Sequence, residues 1–311
     1  MQRLDVVIPI FNEEENLPEL GRRLKEALEK TNTSWRVIYV NDGSRDSSEK
    51  LIAQQHAQDE RFCRVNLSRN FGFQPAILAG LSNADADAAI ILDGDLQDPP
   101  ELIGELVESW RQGNDVVIAK RRSRKEKGLR LLAFNAFHKI FRHLSDFPIP
   151  QNTGTFGLMS RPALDQFVAL GEQHRFLPGL RAWVGFKQDF VLYDRDDRAA
   201  GEPKQGFFKL LRYAFDAIFS FSYKPLHVMT LSGIFISSLG FLLALYFMIK
   251  RIVGYEQAFT GFTTLITVML FLGGIQLIGI GLLGEYIGRI YDEVKRRPVF
   301  IVKDTLGCLK K

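Results

Sequence analysis

Short apolar runs alternate with amphipathic segments through the first part of the chain. A buried strand is typically a short apolar run bounded by turn residues. Five runs fit that description: Leu4–Ile10, Arg36–Val40, Cys63–Leu67, Ala88–Leu92 and Val116–Ala119. Between the first two, leucines recur at helical spacing, at positions 17, 20, 24 and 28. Strands that alternate with helices predict a mostly parallel sheet covered on both faces, so the expected fold class is α/β.

Each predicted strand ends in a cluster of polar, loop-forming residues. In open parallel sheets, ligands bind beyond the carboxyl ends of the strands, so these clusters are expected to converge on one crevice. At none of these strand ends does a G-x-G-x-x-G or P-loop pattern follow. The sequence therefore disfavours dinucleotide-binding and P-loop NTPase functions.

Two carboxylates, Asp93 and Asp95, follow directly after the fourth predicted strand. Mg²⁺ is usually held by one or two carboxylates together with substrate phosphates, so this pair is a candidate metal site. The alternatives are solvated turn residues and a phosphatase in which Asp93 attacks phosphorus. An EF-hand fits poorly, because Asp98 stands where that loop requires glycine.

Charge and cysteine content narrow the function classes. The 311-residue chain has a net charge of only +4, which predicts no general nucleic-acid role. Cys63 and Cys308 are too far apart for a disulfide framework, in keeping with a reducing compartment. The chain opens directly on a strand-like pattern, so no signal peptide is expected.

Two runs without Asp, Glu, Lys or Arg lie near the carboxyl end, at 226–249 and 262–283. The first would reach about 36 Å as a helix, enough to cross a bilayer core of about 30 Å. The short link between them predicts a transmembrane hairpin. Basic residues flank the hairpin on both outer sides, and the positive-inside rule then places both chain ends in the cytoplasm. Small residues spaced four apart in these runs favour self-association.

Two further segments carry a Phe/Leu face edged by Lys and Arg, at 128–145 and 206–221. That pattern is typical of helices lying in the lipid headgroup layer, although core-packing helices share it. The resulting domain prediction has four parts: a cytoplasmic catalytic domain at 1–203, an interfacial helix at 204–225, a hairpin at 226–284 and a cytoplasmic tail at 285–311.

Five motifs in this order resemble one family. They are Val7–Glu14, Val40–Ser44, Leu67–Gly72, Asp93–Pro100 and Arg195–Glu202. The sequence is similar to the polyisoprenyl-phosphate glycosyltransferases, a branch of the family 2 glycosyltransferases with a GT-A fold that includes dolichol-phosphate mannose synthase. The two-span hairpin most resembles the GtrB-type members.

The resemblance implies inverting transfer of a sugar from a nucleotide-sugar to polyprenyl phosphate at the cytoplasmic face of a bacterial inner membrane. The best-matching subgroup implies UDP-glucose as donor and an undecaprenyl-type acceptor, with N-acetylglucosamine, 4-formamido-arabinose and mannose left open. It also implies a homotetramer and bound Mg²⁺ or Mn²⁺. A membrane-tethered phosphatase and a non-enzymatic scaffold are the alternatives.

The resemblance also assigns roles to individual residues. Pro9, Phe11, Glu13 and Asp42 would hold the base and ribose. Asp93 would bridge nucleotide and metal, and Asp95 with Gln97 would ligate the metal. Arg195, Arg198 and Lys204 would hold the acceptor phosphate, with headgroup contact as the alternative.

One position departs from the family pattern. Many relatives carry Gly-Asp-Phe-Arg where this chain has Gly-Thr-Phe-Gly at 154–157, so the acid often proposed as catalytic base is replaced by Thr155. A phosphate monoester has a second pKa near about 6 and is largely ionised at neutral pH. We therefore hypothesise that Thr155 shapes the sugar or acceptor pocket and that no side chain has to remove a proton.

Overall fold

The structure, a computed structural model, describes residues 1–122, 153–173, 175–194, 224–253 and 261–308. These residues form two compact units. One holds the described residues before position 195 together with those from 297 onward, and the other holds two long apolar helices. The predicted interfacial helices, at 128–145 and 204–225, lie outside the described residues, except that 224 and 225 already belong to the first long apolar helix. Arg195, Arg198 and Lys204 also lie outside the described residues.

The first unit is built on an eight-stranded sheet. Its strands are β1 (Arg3–Ile10), β2 (Ser34–Asn41), β3 (Phe62–Leu67), β4 (Ala88–Ile91), β5 (Val116–Arg121), β6 (Thr153–Ser160), β7 (Gln188–Tyr193) and β8 (Val302–Leu306). Their order is β7-β5-β6-β4-β1-β2-β3-β8, with β6 and β8 antiparallel to their neighbours and the other pairs parallel. The predicted mostly parallel α/β sheet is confirmed.

Helices cover this sheet. They are α1 (Leu17–Glu29), α2 (Ser48–Gln58), α3 (Phe73–Ser82), α4 (Ile103–Arg111), α5 (Arg161–Ala169) and α6 (Leu177–Trp183). The four leucines that predicted α1 are all fully buried in the core, together with alternate residues of β1 and β2. A short 3-10 turn at Pro100–Leu102 leads into α4.

The strand order reverses at β1, which lies between β2 and β4. The chain moves outward through β2 and β3 on one side and then returns to place β4 on the other. Such a switch point opens a crevice at the carboxyl ends of the two central strands. Gly94 allows the β4 turn to lie against β1 there, because a Cβ atom at this position would stand 2.8 Å from Ile10 Cδ1.

The carboxyl-terminal segment returns to this sheet. The sequence pattern predicted a tail at 285–311 and no strand within it. In the structure, β8 pairs antiparallel with β3 along the outer edge. The Asp304 carboxylate accepts hydrogen bonds from Arg64 at 3.0 Å and Asn66 at 2.9 Å. The Cys63 thiol donates to the Gly307 carbonyl at 3.2 Å.

The second unit consists of α7 (Lys224–Ile252) and α8 (Phe262–Lys295). Both are long and apolar enough to cross a membrane, judged by length and composition. The second helix continues beyond Leu283, where the predicted span ended, through a charged stretch to Lys295. The crossing itself, and the cytoplasmic location of the flanking segments, stay predictions.

Candidate active site

The acidic turn after β4 lies at the switch point. Beyond the last residue of the strand, the Leu92 amide still donates to the Val7 carbonyl at 3.1 Å, so the chain leaves β4 alongside β1. Half-buried Asp93 and Asp95 then alternate with buried Gly94 and Leu96. The Asp95 carboxylate accepts a hydrogen bond from the Gln97 backbone amide at 3.2 Å. Both carboxylates therefore lie directly after β4, at the crevice predicted from the strand pattern.

The Thr155 side chain contacts this turn from β6. Its hydroxyl donates to Asp93 Oδ1 at 3.0 Å, because β6 lies directly beside β4. Beneath it, Arg181 of α6 donates to the carbonyls of Thr155 at 3.1 Å and Gly154 at 2.8 Å. Burial lowers the pKa of Arg181 to about 10. Two residues predicted for the site, Asp93 and Thr155, therefore meet, and a buried arginine fixes the strand that carries one of them.

A second anchor fixes the far end of the acidic turn. Asp98 is 1% exposed and accepts a hydrogen bond of 2.5 Å from the Tyr193 hydroxyl. Arg121 donates to the same tyrosine oxygen at 3.2 Å. Burial and the neighbouring Asp98 charge raise the pKa of Tyr193. Sequence reasoning gave Asp98 no role, although its place in the Asp93–Pro100 motif was a signal.

Asp42 joins the loops that follow β2 and β3. Its carboxylate is 3% exposed and accepts the backbone amides of Phe71 at 2.7 Å and Gly72 at 2.9 Å. Burial raises the pKa of Asp42, against the opposing effect of these hydrogen bonds and of the nearby Arg69 charge. Gly43 follows with a φ of 69°, and a Cβ atom there would stand 2.7 Å from the Asn70 nitrogen. The close approach of the two loops therefore depends on glycine.

The loop after β1 carries the remaining residues predicted to hold the nucleotide. Pro9 is buried within β1 and opposite Val40. Phe11 is 41% exposed, so its ring is available to a ligand. The Glu13 side chain accepts a hydrogen bond from Asn16 at 2.7 Å, and its backbone amide donates to the Ser48 hydroxyl at 3.0 Å. Of these three, Phe11 faces open space.

A cavity of about 320 Å³ lies over the carboxyl ends of β2 and β3, and we call it the β2–β3 cavity. Its lining includes Phe11, Arg45, Glu49, Asn66, Arg69 and Lys303. Pro9, Glu13, Asp42 and the two switch-point carboxylates are not among its lining residues. Lys303 comes from β8, so sequence reasoning did not associate it with the site.

The residues of the acidic turn suit a divalent cation. Among the described residues, no group of three or more His, Cys, Asp and Glu side chains is arranged to hold a metal ion. Asp93, Asp95 and Gln97 nevertheless offer oxygen ligands on one short turn. Mg²⁺ needs few protein ligands, because it keeps several waters and binds substrate phosphates. The donor set therefore fits such an ion shared with a phosphorylated ligand.

Proteins with a mostly parallel, open α/β sheet form a class that binds ligands beyond the strand ends, at the switch point. This chain belongs to that class and carries paired carboxylates at its switch point. Residues 5–168 match Glycosyl transferase family 2, and residues 224–290 match the GtrB C-terminal hairpin. The chain thus belongs to glycosyl transferase family 2. It is a glycosyltransferase with a GT-A-like sheet, and the predicted family resemblance is confirmed.

Several known proteins are similar to this chain over most of its length. An uncharacterized glycosyltransferase of Synechocystis sp. is 44% identical over 98% of this chain and 96% of its own. The SfII prophage-derived bactoprenol glucosyl transferase of Shigella flexneri is 41% identical over 97% of each. Among solved structures, the mannosyltransferase PcManGT of Pyrobaculum calidifontis, in complex with GDP-Man and Mn²⁺, is 14% identical over 90% of this chain and 87% of its own, with a TM-score of 0.46.

Proposed function

We propose that the protein transfers glucose from UDP-glucose to a polyprenyl phosphate of the undecaprenyl type, with inversion, at the cytoplasmic face of a bacterial membrane. The observation that carries the proposal is the pair Asp93 and Asp95, which lies at the switch point of a family 2 sheet and of which Asp93 accepts the Thr155 hydroxyl. The similarity to bactoprenol glucosyl transferases over nearly the whole chain supports the acceptor and the sugar.

In this reaction the acceptor phosphate oxygen attacks the anomeric carbon, and the bond to the nucleoside diphosphate breaks. Asp93, Asp95 and Gln97 would hold Mg²⁺ or Mn²⁺, which when bound neutralises charge on a diphosphate leaving group. Thr155 occupies one oxygen of Asp93 with a hydrogen bond and so restricts the orientation of that carboxylate.

The acceptor needs orientation more than activation. A phosphate monoester loses its second proton near pH 6, roughly, so its oxygen is an anionic nucleophile in a neutral cytoplasm. We assign Pro9, Phe11, Glu13 and Asp42 to the nucleoside. Arg195, Arg198 and Lys204 are assigned to the acceptor phosphate, because guanidinium groups bind phosphate in a bidentate manner. The two apolar helices would anchor the enzyme beside its lipid substrate, in a homotetramer.

The proposal is tested by transfer of label into lipid. Purified full-length protein is incubated with labelled UDP-glucose, undecaprenyl phosphate and Mg²⁺, and the lipid fraction is counted. Asp95→Asn is expected to lower transfer by roughly a hundredfold or more, because a catalytic metal contributes several kcal/mol. EDTA is expected to have a similar effect. Asp165→Asn, on the exposed face of α5, is the matched control and is expected to leave transfer unchanged.

Parallel incubations with UDP-N-acetylglucosamine, UDP-4-formamido-arabinose and GDP-mannose test the choice of sugar. Transfer from one of these, with UDP-glucose inactive, would contradict glucose while retaining the reaction type. Release of inorganic phosphate without any nucleotide, through a trapped aspartyl-phosphate, would favour the phosphatase alternative. Full transfer by Asp95→Asn would contradict the assigned site.

A further inference from the structure

The strand β8 carries a bulge where it passes the β2–β3 cavity. Asn66 of β3 pairs with Asp304, and the next residue, Leu67, pairs with Val302. Lys303 is therefore the additional residue, without a partner in the strand register. Bulges redirect side chains and occur often beside active sites. In this protein the bulged residue, Lys303, is exposed and lines the cavity.

Hydrogen bonds fix the backbone on either side of the bulge. The Asp304 carboxylate accepts from the Asn66 side-chain nitrogen at 2.9 Å, and Asn66 Oδ1 accepts from the Asn41 side-chain nitrogen at 3.0 Å. Asn41 in turn accepts the Ser44 backbone amide at 3.1 Å. On the other side, the Ile301 carbonyl accepts the Ser68 amide at 2.9 Å. A continuous polar chain thus connects β8 to the loop after β2.

The cavity has a cationic lining. Arg45, Arg69 and Lys303 contribute positive charge, whereas Glu49 is the one carboxylate that lines it among the described residues. Glu49 lies 3.4 Å from Arg64, which offsets its charge. Arginine and lysine side chains donate hydrogen bonds and accept none. The complementary ligand surface is therefore rich in carbonyl oxygens or other acceptors.

The strand order indicates which part of a nucleotide would lie in the β2–β3 cavity if its diphosphate is bound at Asp93 and Asp95. Strands β1, β2 and β3 separate β4 from β8, which puts the two about 19 Å apart at the usual strand spacing of about 4.8 Å. A diphosphate bound at Asp93 and Asp95 lies beyond the reach of a lysine on β8. The end of the nucleotide that extends over β2 and β3 is its base.

We infer that Lys303 recognises the base of the nucleotide donor, by donating a hydrogen bond at the β2–β3 cavity to the carbonyl oxygen at position 4 of uracil or position 6 of guanine. This inference rests on the proposed function. Uracil and guanine carry a carbonyl oxygen where cytosine and adenine carry an amino group, which is itself a donor. An ammonium group at that position distinguishes the two kinds of base. The segment that follows the apolar helices therefore contributes to the donor specificity of the catalytic sheet.

The test measures nucleotide affinity by calorimetry on the full-length protein in detergent with Mg²⁺. UDP and GDP are compared with CDP and ADP, their amino counterparts. Lys303→Met keeps most of the apolar stem and removes the donor. This substitution is expected to weaken binding of UDP or GDP, whichever the wild type prefers, about tenfold, because a hydrogen bond from a charged group is lost. The affinity for the nucleotide with the corresponding amino group, CDP or ADP, should change less than about twofold.

Two further variants complete the experiment. Lys303→Arg keeps a charged donor and is expected to retain the preference for the carbonyl base. Lys187→Met, an exposed lysine before β7 at the opposite edge of the sheet, is the matched control and should bind as the wild type does. Unchanged affinity in Lys303→Met, or an equal loss of affinity for both kinds of base, would overturn the role of Lys303 but leave the proposed function intact. A wild-type protein that binds none of the four nucleotides would overturn the proposed function as well.

Discussion

At the residue scale, the role of the acidic turn is tested most directly by removing the hydrogen bond between the Thr155 hydroxyl and Asp93. Thr155→Val removes the donor at nearly constant volume and is expected to lower sugar transfer about tenfold, since the carboxylate loses a fixed orientation. Thr155→Ser retains the hydroxyl and should keep most of the activity. The measurement is initial transfer rate at saturating donor.

The pH dependence of the same variants separates orientation from proton removal. As the pH increases, the transfer rate is expected to rise around the second pKa of the acceptor phosphate, near about 6. The same profile is expected for the wild type and for Thr155→Val. A wild-type profile that rises at a distinctly higher pH, and that Thr155→Val alters, would show that a protein base is needed and would contradict the assignment.

Asp42 is expected to matter more for the ligand than for folding. Its raised pKa means that its contribution to stability is greatest below the unfolded pKa, about 3.9, and declines as the pH rises through the native value. Asp42→Asn loses one acceptor for the Phe71 and Gly72 amides but also removes a buried charge. We expect the free energy of unfolding to change by about 1 kcal/mol or less, and UDP affinity to fall about tenfold. Denaturant unfolding and calorimetry measure the two quantities, and a large loss of stability would contradict this division.

The site residues that could be predicted from the sequence are those that follow a recognisable local pattern of apolar and polar positions. Asp93 and Asp95 follow an apolar run, so their place at a strand end was predictable. Asp98 depends on Tyr193, 95 positions away, and Arg181 depends on carbonyls more than 20 positions before it. Such partners are brought together by the folded sheet and leave no local pattern in the sequence.

At the scale of elements, the five predicted strands, β1 to β5, are those with short and mainly apolar runs, although β1 carries Asp5 and β3 carries Arg64. The three that were missed, β6, β7 and β8, are interrupted by glycine or charge. Gly157 in β6 is required by packing, because a Cβ atom there would stand 2.6 Å from the Val117 carbonyl. β8 is short, half-exposed and carries Lys303 and Asp304, as edge strands commonly do.

Removing β8 is expected to expose the edge of β3. A chain that ends at Arg297 keeps both apolar helices and should aggregate more readily, unfold at a lower temperature and bind UDP more weakly than the full chain. A chain that ends at Cys308 loses three residues after the strand and is the matched control. Size-exclusion chromatography and thermal unfolding in detergent measure the difference. Equal behaviour of the two truncations would show that β8 contributes nothing to the sheet.

At the scale of the whole molecule, the pairing of β3 with β8 restricts membrane topology. The chain before α7 and the chain after α8 belong to one sheet, so they must lie on the same side of any membrane that the helices cross. If the helices cross a membrane, we therefore expect an even number of crossings. This conclusion is independent of the basic residues that flank the hairpin.

Protease accessibility in sealed vesicles tests this topology. Epitope tags at both chain ends are expected to be cleaved together in inside-out vesicles, and a tag inserted between positions 254 and 260 is expected to be protected there. Cleavage of one terminal tag with protection of the other would be incompatible with the sheet.

The late position of β8 in the chain also gives the protein a fixed order of assembly during translation. The ribosome delivers β1 to β5 early, but the outer edge of β3 stays open until residues 302–306 emerge, after both apolar helices have been synthesised. Until then Lys303 is absent from its cavity. A nascent chain stalled before this point would lack both the eighth strand of the sheet and Lys303 at the β2–β3 cavity, so the cavity is completed only after the two apolar helices have been synthesised.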